Sequence, residues 1–100
     1  MLIRTQDKNR VICLDACHGI SLQKIERVIP SVYKVYADLY GASRVELGIY
    51  ENEKRAKEVL EEIVGCYSIH KTIEIGKRVS LKELQRYQGM MFGCYDMPAE

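Results

Sequence analysis

The sequence predicts an α+β fold, in which an antiparallel β-meander of about five strands is followed by one main helix, a short second helix and a final strand. The first observation is a hydrophobic period of two across residues 2–50, interrupted by turn formers at regular intervals. The second is a change to the ~3.6-residue period of a helix after Tyr50. The third is the length of 100 residues with 47% hydrophobic content, which suits a single domain over residues 1–100.

The first two strands are predicted at residues 2–5 and 10–14, and both are short. Between them, the run Gln6-Asp7-Lys8-Asn9 is typical of a turn. A further turn is predicted at His18-Gly19. The chain should therefore reverse its direction twice within its first twenty residues.

Residues 20–28 fit two interpretations, because both strand and helix spacings are present. The residues that suit a strand are Ile20, Leu22 and Lys24, and those that suit a helical turn are Leu22, Ile25, Val28 and Ile29. We predict a strand, since Pro30 follows closely and Ser21 is the one candidate helix cap.

Residues 32–39 give the clearest strand signal. The residues expected in the core are Tyr33, Val35, Ala37 and Leu39, and those expected on the opposite face are Val32, Lys34, Tyr36 and Asp38. A hairpin turn is predicted at residues 40–43. The strand after it is expected to place Val45, Leu47 and Ile49 in the core and Glu46, Gly48 and Tyr50 on the opposite face.

The main helix is predicted to begin near Asn52, which is a favourable N-cap residue. It is expected to end at Gly65 or to continue through Ile69. Its apolar stripe consists of Ala56, Val59, Leu60, Ile63, Val64 and Tyr67.

The segment after the main helix carries weaker signals. Ser80 and Glu83 have the spacing of a capping box, which predicts a short helix that ends at Gly89. Residues 90–95 are predicted to form the final strand, and residues 68–79 give no clear pattern.

Charge and hydropathy limit the classes of partner. Fifteen Lys and Arg oppose fourteen Asp and Glu, and the net charge of +1 provides no broad field for binding nucleic acids or membranes. Charged residues early in the chain interrupt any signal-peptide core, and no apolar run approaches the ~18–20 residues of a membrane span. We therefore expect a cytoplasmic protein without membrane association, for which nucleic acid is a disfavoured partner.

The cysteines and histidines lack a recognisable catalytic or metal motif. Cys13 and Cys17 are separated by three residues instead of the two of a zinc knuckle. A zinc site that combines these two cysteines and His18 with Cys66 and His70 remains an alternative. Cys17 and His18 are neighbours on an extended chain, where adjacent side chains point apart, so they form a poor nucleophile and base pair. We expect reduced thiols, no cofactor, no metal, no catalytic residue and no enzymatic activity.

The candidate ligand-binding residues are basic and aromatic side chains on or beside the predicted sheet, namely Arg4, Lys34, Tyr36, Arg44 and Tyr50. Basic side chains suit phosphate groups, and tyrosine rings stack on bases. The seven tyrosines are equally consistent with the ordinary preference of tyrosine for strands and with an interface between copies of the chain.

Five short blocks resemble small uncharacterised proteins of phages and prophages of Gram-positive bacteria, whose sequences open with I-R-[ST]-Q-D-K. The blocks are Ile3-Arg4-Thr5-Gln6-Asp7-Lys8, residues 33–39, Leu47-Gly48-Ile49-Tyr50, residues 55–60 and Tyr95-Asp96-Met97-Pro98. The chain departs from the simpler members at residues 66–88, where a shorter link is expected. The resemblance implies a mobile-element setting, in which small proteins often bind a host defence protein or a signalling nucleotide, and it assigns no catalytic residue.

The sequence thus favours a non-enzymatic phage or prophage protein that forms a homo-oligomer, acts in counter-defence and sequesters a nucleotide signal of the cyclic or ADP-ribose type. The alternative is an inhibitor or adaptor whose outer sheet face or exposed strand edge docks on a host protein.

Overall fold

The computed structural model describes residues 1–41, 43–74 and 94–100. The elements in this part of the chain are β1 (Leu2–Arg4), β2 (Val11–Cys13), a 3₁₀ turn (Leu14–Ala16), β3 (Cys17–Ile25), β4 (Val32–Leu39), β5 (Arg44–Tyr50), α1 (Glu53–Glu74) and β6 (Cys94–Asp96). The α+β class and the main helix are confirmed. The predicted second helix and residues 90–93 of the predicted last strand lie outside the described residues.

The strands form two three-stranded sheets instead of one continuous meander. In the first sheet β1 lies between β2 and β6, antiparallel to β2 and parallel to β6. In the second sheet β3, β4 and β5 are antiparallel neighbours. The meander is divided because the 3₁₀ turn redirects the chain after β2, so that β2 and β3 do not pair.

The ambiguous segment after residue 20 is a strand, which confirms that prediction. The strand begins earlier than expected, at Cys17, and the turn predicted at His18-Gly19 is instead an irregularity within it. The pairing with β4 shifts between Cys17 and Gly19, so His18 is the extra residue of a β-bulge. A histidine and glycine pair can bend a strand without ending it.

The hydrophobic core lies between the second sheet, α1 and the first sheet. Helix α1 contacts all three strands of the second sheet. Val35 and Ala37 of β4 are fully buried, and Tyr33 and Leu39 are half-buried against them, as the alternation predicts. The buried residues of the first sheet are Ile3, Ile12 and Tyr95, and those of α1 include Ala56, Val59, Ile63 and Cys66.

A β-bulge in β5 changes which side chains enter the core. Val35 pairs with Gly48 and Tyr36 pairs with Glu46, so Leu47 has no partner of its own on β4. The alternation restarts after the bulge, which buries Tyr50 and leaves Ile49 40% exposed. Gly48, also expected on the opposite face, is buried, so the predicted faces of Gly48, Ile49 and Tyr50 are wrong.

Gly48 allows this change of face by its lack of a side chain. A Cβ atom at Gly48 would lie 3.0 Å from Tyr50 Oη and 3.2 Å from Met97 Cε. These contacts are tighter than ordinary van der Waals separations, so the Tyr50 ring packs over the glycine because no side chain occupies that space.

Helix α1 begins as predicted and ends later than predicted. Asn52 Oδ1 accepts hydrogen bonds from the backbone N–H groups of Lys54 at 2.8 Å and Arg55 at 3.3 Å, which is an N-cap. The helix continues past Gly65 to Glu74. Val64, a member of the predicted apolar stripe, is 55% exposed. Among the described residues, no helix combines the length and the apolar composition of a membrane-spanning segment.

Gln6 joins the first sheet to β5 and to the last residues of the chain. Its backbone N–H donates to the Leu47 carbonyl at 2.8 Å. Its side-chain Oε1 accepts from the Ile49 N–H at 2.8 Å, and its Nε2 lies 3.0–3.1 Å from the carbonyl oxygens of Ile49, Pro98 and Ala99. One side chain therefore holds two separate segments of the chain together.

Replacement of Gln6 by alanine is expected to lower the free energy of unfolding by about 2 kcal/mol, because several hydrogen bonds worth ~0.5–1.5 kcal/mol each are lost. Gln23→Ala is the matched control, since the Gln23 side chain makes one hydrogen bond within the described part of the chain, from Arg44 at 3.3 Å. Urea denaturation of both variants measures the difference. An equal loss of stability in both variants would contradict the role of Gln6.

Asp15, in the 3₁₀ turn, connects the start of the chain to the end of α1. Its carboxylate accepts hydrogen bonds from Lys71 Nζ at 2.7 Å, Tyr67 Oη at 2.9 Å and the Met1 amino group at 3.2 Å. These bonds lower the pKa of Asp15 well below its usual range, with Lys71 the largest cause, followed by Tyr67 and the Met1 amino group. The folded state is therefore stabilised by the ionised carboxylate.

We expect Asp15→Asn to lower the urea midpoint at pH 7, because the neutral amide cannot replace the charge interactions. Since the pKa is lowered on folding, the carboxylate stabilises the protein above the ordinary value of 3.8 and this contribution declines as the pH falls below it. The difference between the urea midpoints of the wild-type protein and of Asp15→Asn should be constant from neutral pH to about pH 5. It should become smaller in more acidic solution. A difference that does not change with pH would exclude this role for the charge.

Candidate protein-docking site

The five residues predicted to bind a ligand do not come together. Lys34, Tyr36 and Arg44 share the outer face of the second sheet, which faces away from α1. Arg4 belongs to the first sheet, where its Nε lies 3.5 Å from an Asp96 oxygen. Tyr50 is only 3% exposed, and burial raises its pKa to about 12. The β5 bulge explains why Tyr50 is absent from the predicted surface.

Arg44 is the centre of a small polar cluster on the outer face. Its guanidinium lies 4.2 Å from the centroid of the Tyr36 ring, a cation–π contact. The same group donates hydrogen bonds to Asp38 at 3.0 Å, Ser21 at 3.0 Å and Gln23 at 3.3 Å. All three strands of the sheet thus contribute to fixing the orientation of this arginine.

The basic residues proposed for phosphate binding all have carboxylate partners. Lys34 Nζ lies 2.8 Å from Glu46 Oε1, and this hydrogen bond raises the pKa of Lys34. Arg44 is paired with Asp38, and Arg4 with Asp96. A phosphate group on these residues would have to compete with a carboxylate at each one.

Among the described residues, strand β3 is an edge of the second sheet and has no neighbouring strand on the side away from β4. The strand has nine residues, from Cys17 to Ile25. Within the described chain, the Cys17 N–H donates to the Leu14 carbonyl oxygen of the 3₁₀ turn, and no other backbone hydrogen bond of β3 reaches a residue outside its pairing with β4. In an antiparallel pair, about half of the N–H and C=O groups of an edge strand point outward. The opposite edge, β5, is bonded instead to Gln6.

An apolar groove of about 370 Å³ runs between the beginning of β3 and α1. We call it the β3–α1 groove. It is lined by Leu14, Cys17, His18, Gly19, Ile20, Leu60, Ile63, Val64, Tyr67 and Ser68. Its side chains are mainly apolar, and Val64 projects from the helix at its rim with about half of its surface exposed.

Cys17 and His18, which both line this groove, differ in burial: Cys17 is half-buried and His18 is exposed. Burial, followed by the nearby Cys13 and Asp38, raises the pKa of the Cys17 thiol, which therefore stays protonated at neutral pH. The His18 ring makes an edge-on contact with Tyr40, with 5.3 Å between ring centroids. Among residues 1–41, 43–74 and 94–100, no group of three or more His, Cys, Asp or Glu side chains is placed to hold a metal ion.

The sequence indicates an exposed strand edge as a docking surface in general terms, and it does not reveal the groove. The groove depends on how α1 crosses β3, which residue spacing does not determine. The sequence contains one signal that could have indicated the groove. Val64 and Tyr67 make the apolar stripe of α1 wider than a single sheet face covers.

Comparison with known proteins finds no match to this chain among family models, curated proteins or solved structures.

Proposed function

We propose that this protein is a binding module that captures an extended segment of a partner protein by adding it as a strand to the edge of β3. The observation that carries the proposal is the coincidence of two features, the open main-chain edge of β3 and the apolar β3–α1 groove beside it. This coincidence favours the docking alternative over nucleotide sequestration.

The main chain of the partner supplies the first part of the interaction. Outward N–H and C=O groups of β3 pair with an extended segment as they would with a neighbouring strand. These bonds are independent of side-chain identity, so they contribute affinity without selecting a sequence.

The groove supplies selectivity. Alternate side chains of an added strand point to the same side, so every second residue of the segment faces the groove. Ile20 and Leu60 line the groove, with Val64 at its rim, so they suit aliphatic or aromatic side chains at those positions. The groove volume of about 370 Å³ accommodates one or two such side chains.

The resemblance to phage and prophage proteins supports a host protein as the source of the segment. In that setting, occupation of a strand or linker of a defence protein would inhibit it without any chemical reaction. The proposal requires no catalytic step: the half-buried Cys17 thiol has a raised pKa, and the exposed His18 ring contacts Tyr40.

Selection from a random-peptide display library is expected to enrich sequences with apolar residues at alternate positions. Binding of an enriched peptide should protect outward amide hydrogens of β3 from exchange, because they become hydrogen-bonded. Methylation of a single backbone nitrogen of the peptide should abolish binding when that nitrogen belongs to one set of alternate positions. It should leave binding unchanged when the nitrogen belongs to the other set. Peptides that bind equally well whichever nitrogen is methylated would rule out strand addition.

Two variants test the groove. Val64→Glu should weaken peptide binding at least about tenfold, which corresponds to ~1.4 kcal/mol, because it places a charge at the groove rim. Val11→Glu is the matched control, since Val11 is a valine of similar exposure on the first sheet, 52% against 55%. Both substitutions are on the surface and should leave the fold intact. Equal affinities of the two variants would place the binding site elsewhere.

Sequestration of a nucleotide is the second candidate, and the cation–π pair of Arg44 and Tyr36 favours it. Cyclic dinucleotides or ADP-ribose at about a hundred times the dissociation constant should add about 2.7 kcal/mol to stability, visible as a rise in melting temperature. Arg44→Gln should remove the rise, and Arg10→Gln should retain it. No rise with any nucleotide at saturating concentration would exclude this candidate.

A further inference from the structure

A second apolar surface lies at the turn between β3 and β4, separate from the β3–α1 groove. Residues 26–31 form this turn, which we call the hairpin tip. Ile29 at the tip is 96% exposed, and Val28 is 47% exposed. Pro30 is also exposed, so three consecutive apolar residues face solvent. A contiguous exposed apolar patch, unlike a single exposed apolar side chain, is the kind of surface that marks an interaction site.

A groove of about 510 Å³ lies at the same end of the second sheet as the hairpin tip. We call it the Ile49 groove. Its lining residues are Val32, Ile49, Tyr50, Glu51, Asn52, Arg55, Ala99 and Glu100. Val32 directly follows the tip, and Tyr33 pairs with Tyr50, so the register of β4 brings the tip and the groove side by side.

The two surfaces have complementary character. Val32 and Ile49 give the groove an apolar part, and Ile49 is itself exposed because of the β5 bulge. Arg27 of the tip and Glu51 of the groove are both exposed, and neither has an ion-pair partner within the described residues. Two other nearby pairs of charged residues are Lys24 with Glu26 at 3.6 Å and Arg55 with Glu58 at 3.4 Å. Glu100, which also lines the groove, adds a further negative charge there, and its backbone oxygen accepts from Arg55 Nε at 2.9 Å.

We propose that the hairpin tip of one copy inserts into the Ile49 groove of a second copy, and that the second copy returns the same contact. Ile29 then packs against Val32 and Ile49 of the partner copy, and Arg27 approaches its Glu51. The tip and the groove are neighbours on one chain, so a single two-fold axis brings both contacts together. The assembly closes at two copies, since each copy contributes its hairpin tip and its Ile49 groove to the same interface.

Charge favours a second copy over a lipid surface as the occupant. An anionic membrane would attract Arg27 and would repel Glu51 beside it. A second copy presents the opposite charge to each of these residues. This dimer uses neither the outward edge of β3 nor the β3–α1 groove, so it is independent of peptide binding.

The mass of the full chain in solution tests the proposal. Sedimentation equilibrium over a wide concentration range should show reversible dimerisation to twice the chain mass of 11.5 kDa. Ile29→Ser should raise the dimer dissociation constant at least about tenfold, because the dimer loses two apolar anchors. Ile73→Ser is the matched control, since Ile73 is exposed on α1 away from both surfaces, and it should leave dimerisation unchanged. A monomer at every concentration, or an unchanged dimer in Ile29→Ser, would overturn the proposal.

A charge exchange tests the pairing within the dimer. Arg27→Glu and Glu51→Lys should each weaken the dimer about tenfold, and the two substitutions together should restore it to within about threefold. A double variant whose dissociation constant rises by the product of the two single effects would overturn the proposed contact. A monomer that co-sediments with phosphatidylglycerol vesicles through Ile29 would replace the second copy with a lipid surface and would also overturn it.

Discussion

The side-chain amide of Gln6 is the contact on which the arrangement of the two sheets depends. The strands of the first sheet are only three residues long, and strands of this length are marginal without further support. Gln6 bonds to both backbone groups of Ile49 and also reaches the carbonyl oxygens of Pro98 and Ala99. It thereby positions β1, β5 and the residues after β6 with respect to one another.

The β5 bulge acts together with this contact. It turns Tyr50 inward, where the hydroxyl donates to the same Pro98 carbonyl at 2.8 Å. It also turns Ile49 outward, at the end of the sheet where the hairpin tip lies. One extra residue in a strand thus stabilises the chain end and creates an exposed apolar surface. The proposed dimer contact is a consequence of that exposure.

Local patterns in the sequence predict the elements that depend on neighbouring residues. Alternation identifies β4 and its buried Val35 and Ala37, and the capping chemistry of Asn52 places the start of α1. The parallel pairing of β1 with β6 could not be predicted, since it joins residues more than ninety positions apart. The bulge shifts alternation by one residue without a change in composition, so alternation alone places Tyr50 on the wrong face. The same limit applies to the proposed docking site, because the β3–α1 groove arises from the crossing of two elements.

The position of β1 between β2 and β6 also sets an order of assembly. Strands β3, β4 and β5 are consecutive in the chain, and α1 follows at once, so their contacts can form while later residues are still being synthesised. The first sheet must wait for residues 94–96, although β1 leaves the ribosome before the strands that follow it. Until β6 is synthesised, Ile3 is not fully buried and the edge of β1 that pairs with β6 has no hydrogen-bond partner. This early strand is therefore the part of the nascent chain most in need of protection from aggregation.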